Sequence, residues 1–374
     1  MAGFEILKPD YERSILSISA ALLKHYGAHA SYPALPELES ALSDRPKNVV
    51  FLILDCMGVN ILRENLPSDS FLRKQMVAKI TSVFPPTTTA ATNALHSGLS
   101  PLESGWLGWM AYFKEHDAIV ELFLNREFYT GRKLDISPIA ESVLGYETIY
   151  AKIVSSDPSV EYTQVFPAFV KGGCSSFEEV CRRVLEQTQQ SGPQLISAYW
   201  DEPDHTIHRH GISGGETQRV MNDLNNQVQA MVAAAPANTI FIITADHGAV
   251  DVDEIFLNEH KLSQYMKMPP SLEARYVTFF VKEECIGQFE KEFRASYEND
   301  FFLYKTEEFI KSGLLGPGQM HSRVMGFLGD YVAISKSAKS FRYALPGGPA
   351  KKFKADHAGI TRDEMEVPLI IFRK

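Results

Sequence analysis

The stretch YWDEPDHTIHRHG, residues 199–211, sets three acidic side chains and three histidines within thirteen residues. Asp201 and His205 are four apart, and so are Asp204 and His208. On one helical turn either pair brings a carboxylate and an imidazole to the same face, an arrangement that suits a metal ion. The spacing does not choose between the pairs. More candidate ligands close apolar runs elsewhere: Asp55 ends VVFLILD, Asp246 and His247 end TIFIITADH, and His357 stands in ADHAG. Each has a bland reading on its own, Asp55 as a helix cap and His247 as a turn residue beside Gly248. The joint pattern is harder to obtain without function. Three carboxylates and three imidazoles behind separate strands would hold two divalent cations, and mixed nitrogen and oxygen donors suit zinc best, with manganese or iron as alternatives.

A nucleophile is offered by FPPTTTAATNALHSG, residues 84–98. Pro-Pro followed by three threonines marks a helix start, where Thr is a good cap. One of these hydroxyls would also serve as a nucleophile, because a nearby metal lowers its pKa and the helix N-terminus presents free N–H groups to an anion. Both readings put a threonine at the cap, so only the metal ligands can decide between them.

Such residues need a scaffold that gathers strand ends. Residues 10–26 are expected to form an amphipathic helix and 36–43 a short one. Val49 to Leu54 is an unbroken apolar run, the signature of a strand buried on both faces of a parallel sheet. Strands are also expected before Pro85, at 147–153, at 193–200 and at 239–244. Helices are expected from the threonines to Gly98, over 175–192 and over 214–238. This alternation means an α/β domain with a mostly parallel sheet, whose ligands gather outside the carboxyl ends of the strands. After about residue 256 the texture changes. Residues 275–313 read as strand, helix, strand, helix, and EVPLIIF near the C-terminus reads as a strand rejoining the main sheet. The domain reading is a catalytic core of 1–255 plus 346–374, with 256–345 as an inserted α+β subdomain. LPGGP at 345–349 reads as a loop leaving the insert.

Composition narrows the function classes. The chain has 374 residues, 45% hydrophobic and 22% charged, enough for a large core. A net charge of −9 argues against a nucleic-acid polymer as partner. Four cysteines without CxxC spacing argue against a disulfide framework and a Cys-based zinc site. The N-terminal stretch meets charges too early for a signal peptide, and no run reaches membrane-spanning length. The expectation is therefore a cytoplasmic protein with no membrane partner; its oligomeric state is unreadable.

The blocks VVFLILDCMG, FPPTTTAATNALHSGLSPLESG, EPDHTIHRHG, IITADHG and ADHAG, in this order, resemble the alkaline phosphatase superfamily, and within it the nucleotide pyrophosphatase/phosphodiesterase branch. They run from about residue 48 to the end of the chain, whereas the leading 46 residues and most of 256–345 carry no match. The resemblance implies a three-layer α/β/α sandwich and a phosphate-ester hydrolase acting on a small-molecule phosphate ester or nucleotide. It answers the opening question by implying Asp204 and His208 as ligands, with His357, of one metal, since Pro203-Asp204, His208 and Gly211 match the branch's pattern. Asp201 and His205 then share the spacing by coincidence or orient the ligands. The second metal would take Asp55, Asp246, His247 and the nucleophile. The branch places its nucleophile ten residues before a Gly, which here points from Gly98 to Thr88, with Thr87 and Thr89 open to a one-residue slip. The implied course is attack by Thr88 on phosphorus and hydrolysis of a covalent phospho-threonine.

One departure stands out. The branch carries an Asn about twenty residues after the nucleophile, and Trp109 takes that place. Trp106, Trp109 and Tyr112 would then wall an apolar pocket for the leaving group, or else pack the interior. Arg126, Arg132 and Lys133 read as a solvated loop sooner than as an anion site. A sulfatase is excluded because PPTTTAAT lacks its motif, and a phosphoglycerate mutase because the insert is too short and the nucleophile is not Ser. The readings left are phosphodiesterase, phosphomonoesterase, phosphonoacetate-type hydrolase, and a non-catalytic scaffold that keeps the fold.

Overall fold

The computed structural model describes residues 4–134, 138–345 and 352–374. Its central sheet has six strands: β1 Asn48–Leu54, β2 Met76–Thr81, β3 Glu161–Val165, β4 Gln194–Trp200, β5 Thr239–Thr244 and β6 Glu366–Arg373. Their order in space is β2-β6-β5-β1-β4-β3. The last four of these are parallel neighbours, and β6 runs antiparallel between β5 and β2. Every residue of β1 and β5 is buried, as their Val, Ile and Phe runs require of central strands.

Register does the positioning. Leu54 of β1 pairs with Trp200 of β4, and Ile53 with Thr244 of β5. The residues that follow, Asp55, the 201–204 turn and Asp246, therefore emerge side by side at one edge of the sheet. Helices lie in two groups, with contacts within each group. One joins α1 (Ile15–His25), α2 (Thr88–Ser97) and α3 (Ile149–Ser156); the other joins α4 (Phe177–Thr188), α5 (Asp204–His210) and α6 (Gly215–Ala234). They form the outer layers of the α/β/α sandwich.

The expected strand at 147–153 is helix α3 instead. Thr148 caps it by accepting from the Ala151 N–H at 3.1 Å. Ile149, Tyr150 and Ile153 are its buried residues, a helical spacing that the β-branched composition disguised. The sheet's outer strand on that side is β3, which the sequence did not announce because an edge strand with one exposed face lacks an apolar run.

A second sheet of seven strands is antiparallel throughout. Its order is Phe301–Lys305, Tyr331–Ser335, Tyr276–Phe279, Ser271–Leu272, Met110–Phe113, Ala118–Glu121 and Arg126–Glu127. The strand, helix, strand, helix expected over 275–313 are present, with helices at Ile286–Tyr297 and Thr306–Lys311. The contribution of residues 110–127 was not foreseen. Arg275 joins this sheet to the C-terminal segment: its Nε meets Glu364 Oε1 at 2.7 Å and its Nη2 meets Oε2 at 3.0 Å, with both side chains fully buried. The expected loop at 345–349 lies, apart from Leu345, outside the described residues. Among the described residues no helix is long and apolar enough to cross a membrane.

Candidate metal centre and active site

Two clusters of three donors form where the strands end. Asp55, Asp246 and His247 make one, Asp204, His208 and His357 the other, with ligand atoms within 4.8 Å of one another in each. The clusters touch, because the His247 and His357 rings stack with centroids 4.0 Å apart.

Each donor is held by its own neighbourhood. Asp55 follows β1, its N–H donating to the Trp200 carbonyl at 3.0 Å, and its Oδ2 accepts from the Tyr199 hydroxyl. Asp246 Oδ1 accepts from the Cys56 and His247 N–H groups, both at 3.0 Å, which turns Oδ2 toward His247. Asp204 opens α5, and the i, i+4 spacing brings its Oδ2 to 3.3 Å from His208 Nε2. His357 follows Ala355–Asp356, a two-residue strand paired antiparallel with Val250–Asp251 just beyond His247. The Ala358 N–H then reaches the Pro86 carbonyl at 3.0 Å and ties this loop to the turn before the threonines.

Hydrogen bonding orients the imidazoles. His208 Nδ1 lies 2.8 Å from the Ala355 carbonyl and His247 Nδ1 3.1 Å from the Gly248 carbonyl. A carbonyl accepts only, so Nδ1 carries the proton in each ring and Nε2 is left free to bind a cation. Asp356 is fixed by Arg342 at 2.8 Å and Ser340 at 3.0 Å, and its Oδ1 accepts the His357 N–H. Gly248 allows a close approach: a Cβ there would stand 2.1 Å from the Asp363 carbonyl oxygen.

The charges in the site ask for cations. Burial, then the neighbouring Asp246 and Asp204, hold the Asp55 carboxyl well above the usual carboxylate range. Burial also raises Asp246. Burial would raise Asp204 too, but His208, His357 and His247 outweigh it and bring it below its ordinary value. Burial pushes the His357 imidazole down to about 3, with the neighbouring His247 opposing a second positive charge there. Three buried atoms, Asp204 Oδ1, Asp246 Oδ2 and His357 Nδ1, have no hydrogen-bond partner among the described residues. Buried polar atoms are rarely left so, and a cation in each cluster would satisfy donors of this hardness. The residues present therefore fit two divalent ions.

The three threonines separate cleanly. Thr88 is the first residue of α2, and its Oγ1 lies 3.2 Å from His247 Nε2 and 3.4 Å from Asp55 Oδ2. The Thr87 hydroxyl turns away and donates to Glu273 Oε1 at 2.7 Å. Thr89 is buried, and its hydroxyl has no partner among the described residues. The helix ends at Gly98, whose φ of +70° suits a residue without a side chain.

Other candidate residues scatter. His205 is exposed, while Asp201 is half-buried and close enough to add to the field on Asp55. Trp106 is buried and donates to the Leu144 carbonyl at 3.0 Å. Trp109 donates from its ring to Glu121 at 2.7 Å, and both indoles meet Phe123. Tyr112 is not brought to them: it donates to Asp117 and packs on Phe280. Positions 109 and 112 differ by three, so an extended strand sends them to opposite faces. Arg126 pairs with Glu121, and Arg132 and Lys133 are exposed.

Sequence reasoning missed Tyr199, Cys56 and Glu273. Tyr199 was legible in principle, one alternation before Asp201. Cys56 sits at φ +62° directly after Asp55, with its sulfur grouped with donors of Asp204 and His247. Glu273 reaches the site from the second sheet, and nothing local to it marks this.

Residues 49–292 match the family model of type I phosphodiesterase / nucleotide pyrophosphatase. No curated protein sequence matches the chain. Among solved structures, murine ectonucleotide pyrophosphatase / phosphodiesterase 5 superposes with a TM-score of 0.64 at 17% identity, over 87% of this chain and 88% of its own. An inactive threonine-to-alanine variant of that protein, in complex with AMP, gives 0.63 at 16%, over 86% and 87%. Phosphonoacetate hydrolase from Sinorhizobium meliloti, in complex with phosphonoformate, gives 0.61 at 14%, over 88% and 90%. At these identities the likeness establishes the fold.

Proposed function

The chain belongs to the type I phosphodiesterase / nucleotide pyrophosphatase family of the alkaline phosphatase superfamily, and from that premise we propose that it hydrolyses small-molecule phosphodiesters through Thr88. The observation that carries the reading is the position of that hydroxyl, within 3.5 Å of both Asp55 and His247 at the junction of two donor clusters. That the inactive form of the murine relative is a threonine-to-alanine variant supports a threonine in this role.

We assign Asp204, His208 and His357 to one cation and Asp55, Asp246 and His247 to the other, with zinc the best match to these donors. When bound, the two cations lower the pKa of hydroxyl and water and stabilise charge on the attacking and leaving oxygens. The chain's own part is geometric. Asp55 and His247 hold the Thr88 oxygen, and Tyr199 holds Asp55. Thr88 Oγ forms a bond to phosphorus as the bond to the leaving alkoxide breaks on the opposite side; the Thr88 hydroxyl gives its proton to water, and the alkoxide takes one from water. Water then cleaves the phospho-threonine, which restores the Thr88 hydroxyl and releases the phosphoryl group. Backbone N–H groups at the start of α2 face the nonbridging oxygens.

The test pairs metal analysis, before and after chelation, with turnover of bis(p-nitrophenyl) phosphate, p-nitrophenyl phosphate and phosphonoacetate. The expected result is bound metal and a preference for the diester. Preference for the monoester assigns a phosphatase, and preference for the phosphonate the activity of the Sinorhizobium protein. Neither metal nor turnover leaves the fold as a scaffold.

A further inference from the structure

One carboxyl lies against the nucleophile's helix without belonging to either donor cluster. Glu273 follows the short strand Ser271–Leu272 of the second sheet. Its Oε1 accepts from the Thr87 hydroxyl at 2.7 Å and from the Trp109 backbone N–H at 2.6 Å. Both contacts alter the site. Thr87 occupies the N-cap of α2, yet its side chain makes no capping bond to the helix, because it donates to Glu273. The first turn thus keeps its N–H groups open for an anion. Trp109 contributes no donor there, since Glu273 takes its N–H and Glu121 its ring nitrogen.

We propose that Glu273 is a specificity-determining residue: its carboxylate, bonded to Thr87 next to the nucleophile, adds negative charge at the start of α2 and so favours monoanionic diesters over dianionic monoesters. This rests on the reading of Thr88 as the nucleophile of an ester hydrolase. Two strong donors saturate Oε1, so a proton, when present, sits on Oε2. Burial, with the nearby Asp356, resists ionisation; the bonds from Thr87 and Trp109, and then His208, favour it, and the balance is pushed up to about 7. Above that pH the carboxylate is charged, and no ion-pair partner faces it among the described residues. A second negative charge on the substrate then meets a repulsion that the first has already met once. Through an effective dielectric of ~20, one such charge changes a rate or affinity ratio on the order of tenfold.

Glu273→Gln removes the charge while retaining an oxygen for Thr87 and Trp109, and Glu273→Asp retains the charge. In metal-loaded protein, well above the pH at which the carboxyl ionises, kcat/KM is measured for p-nitrophenyl phosphate and bis(p-nitrophenyl) phosphate. Orthophosphate binding is measured by calorimetry. The expected result is a monoester-to-diester ratio raised on the order of tenfold in Glu273→Gln, with tighter orthophosphate binding and diester turnover retained, while Glu273→Asp keeps the low ratio. An unchanged ratio in Glu273→Gln, or an equal rise in Glu273→Asp, overturns the assignment and leaves the hydrolase reading intact. If the unmodified protein turns over neither ester, the hydrolase reading fails. Orthophosphate affinity then decides on its own: tighter in Glu273→Gln supports the charge, equal in both refutes it.

Discussion

Replacing Arg275 by Met should be among the most damaging single changes outside the donor clusters. The guanidinium is fully buried, bidentate to Glu364, and donates to the Ser337 and Lys339 carbonyls at 2.8 and 2.9 Å. Glu364 in turn accepts from the Gly359 and Thr361 N–H groups and the Thr361 hydroxyl, and its own carbonyl accepts from Gly248 at 2.8 Å. The pair therefore clamps the loops that carry His357 and His247. Removing one member strands a buried charge, a loss of about 3–5 kcal/mol. With about 2.1 cal/mol/K of unfolding entropy per residue over 374 residues, the melting midpoint should fall by about 4–6 °C. The looser loops should also weaken metal binding by about 10–100-fold, the usual effect of losing a group that orients the ligands. Arg275→Lys should recover less than half of either loss, because a point charge cannot serve two carboxylate oxygens and two carbonyls in one plane. Calorimetric unfolding and metal titration read the two effects. A midpoint within about 1 °C of the parent in Arg275→Met, where a buried charge would be stranded, or full rescue by Lys, would refute the reasoning.

Thr88→Ala should abolish turnover and retain both metals by elemental analysis; full activity would show that another group attacks. His357→Ala should lose one of two bound ions at equilibrium, and unchanged stoichiometry would remove His357 from the ligand set. In metal-free protein, stability should fall as pH rises through the window 6.5 to 9. Asp204 raises His208 to about 9 against its ordinary 6.5 despite burial, so the proton's contribution is complete below 6.5 and lost as pH passes 9, on the order of 3 kcal/mol. Asp55 and Asp246, both raised, act in the same direction, and His357 is neutral across the window. Saturating zinc should flatten the slope, and melting scans on metal-free and loaded protein that share one slope would contradict this.

What could be read in advance follows from where each signal is encoded. The parallel core was legible because β1 and β5 are buried on both faces and must be apolar throughout. The candidate ligands Asp55, Asp246 and His247 were legible because they close such runs, and Asp204 and His208 because they sit at a spacing that a helical turn enforces; His357 follows no apolar run and stood out only in the ADHAG block. Residues 147–153 misled because Ile149, Tyr150 and Ile153 satisfy a strand's composition while obeying a helix's period. The division into a core of 1–255 plus 346–374 and an insert of 256–345 stands as a proposal, since the second sheet is completed by strands from 110–127.

The illegible part of the site has a common cause. Glu273 and Arg275 act through partners about 90 to 190 residues away in sequence, across the contact between the two sheets. Their local sequence, SLEARYVTFF, reads as an ordinary strand. Local pattern specifies the strand ends that bring Asp55, Asp246 and Asp204 together, because the register of the central sheet leaves them no other place. Glu273, which reaches the nucleophile's helix through Thr87, comes from the second sheet, whose register against the first is written in no repeat or motif. Changes in substrate preference should accordingly arise from residues 105–127 and 271–275 with the donor set unchanged. An exchange of those segments that shifts the diester preference while leaving metal stoichiometry at two would bear this out, and one that strips the metals would show that the two sheets cannot be separated in this way.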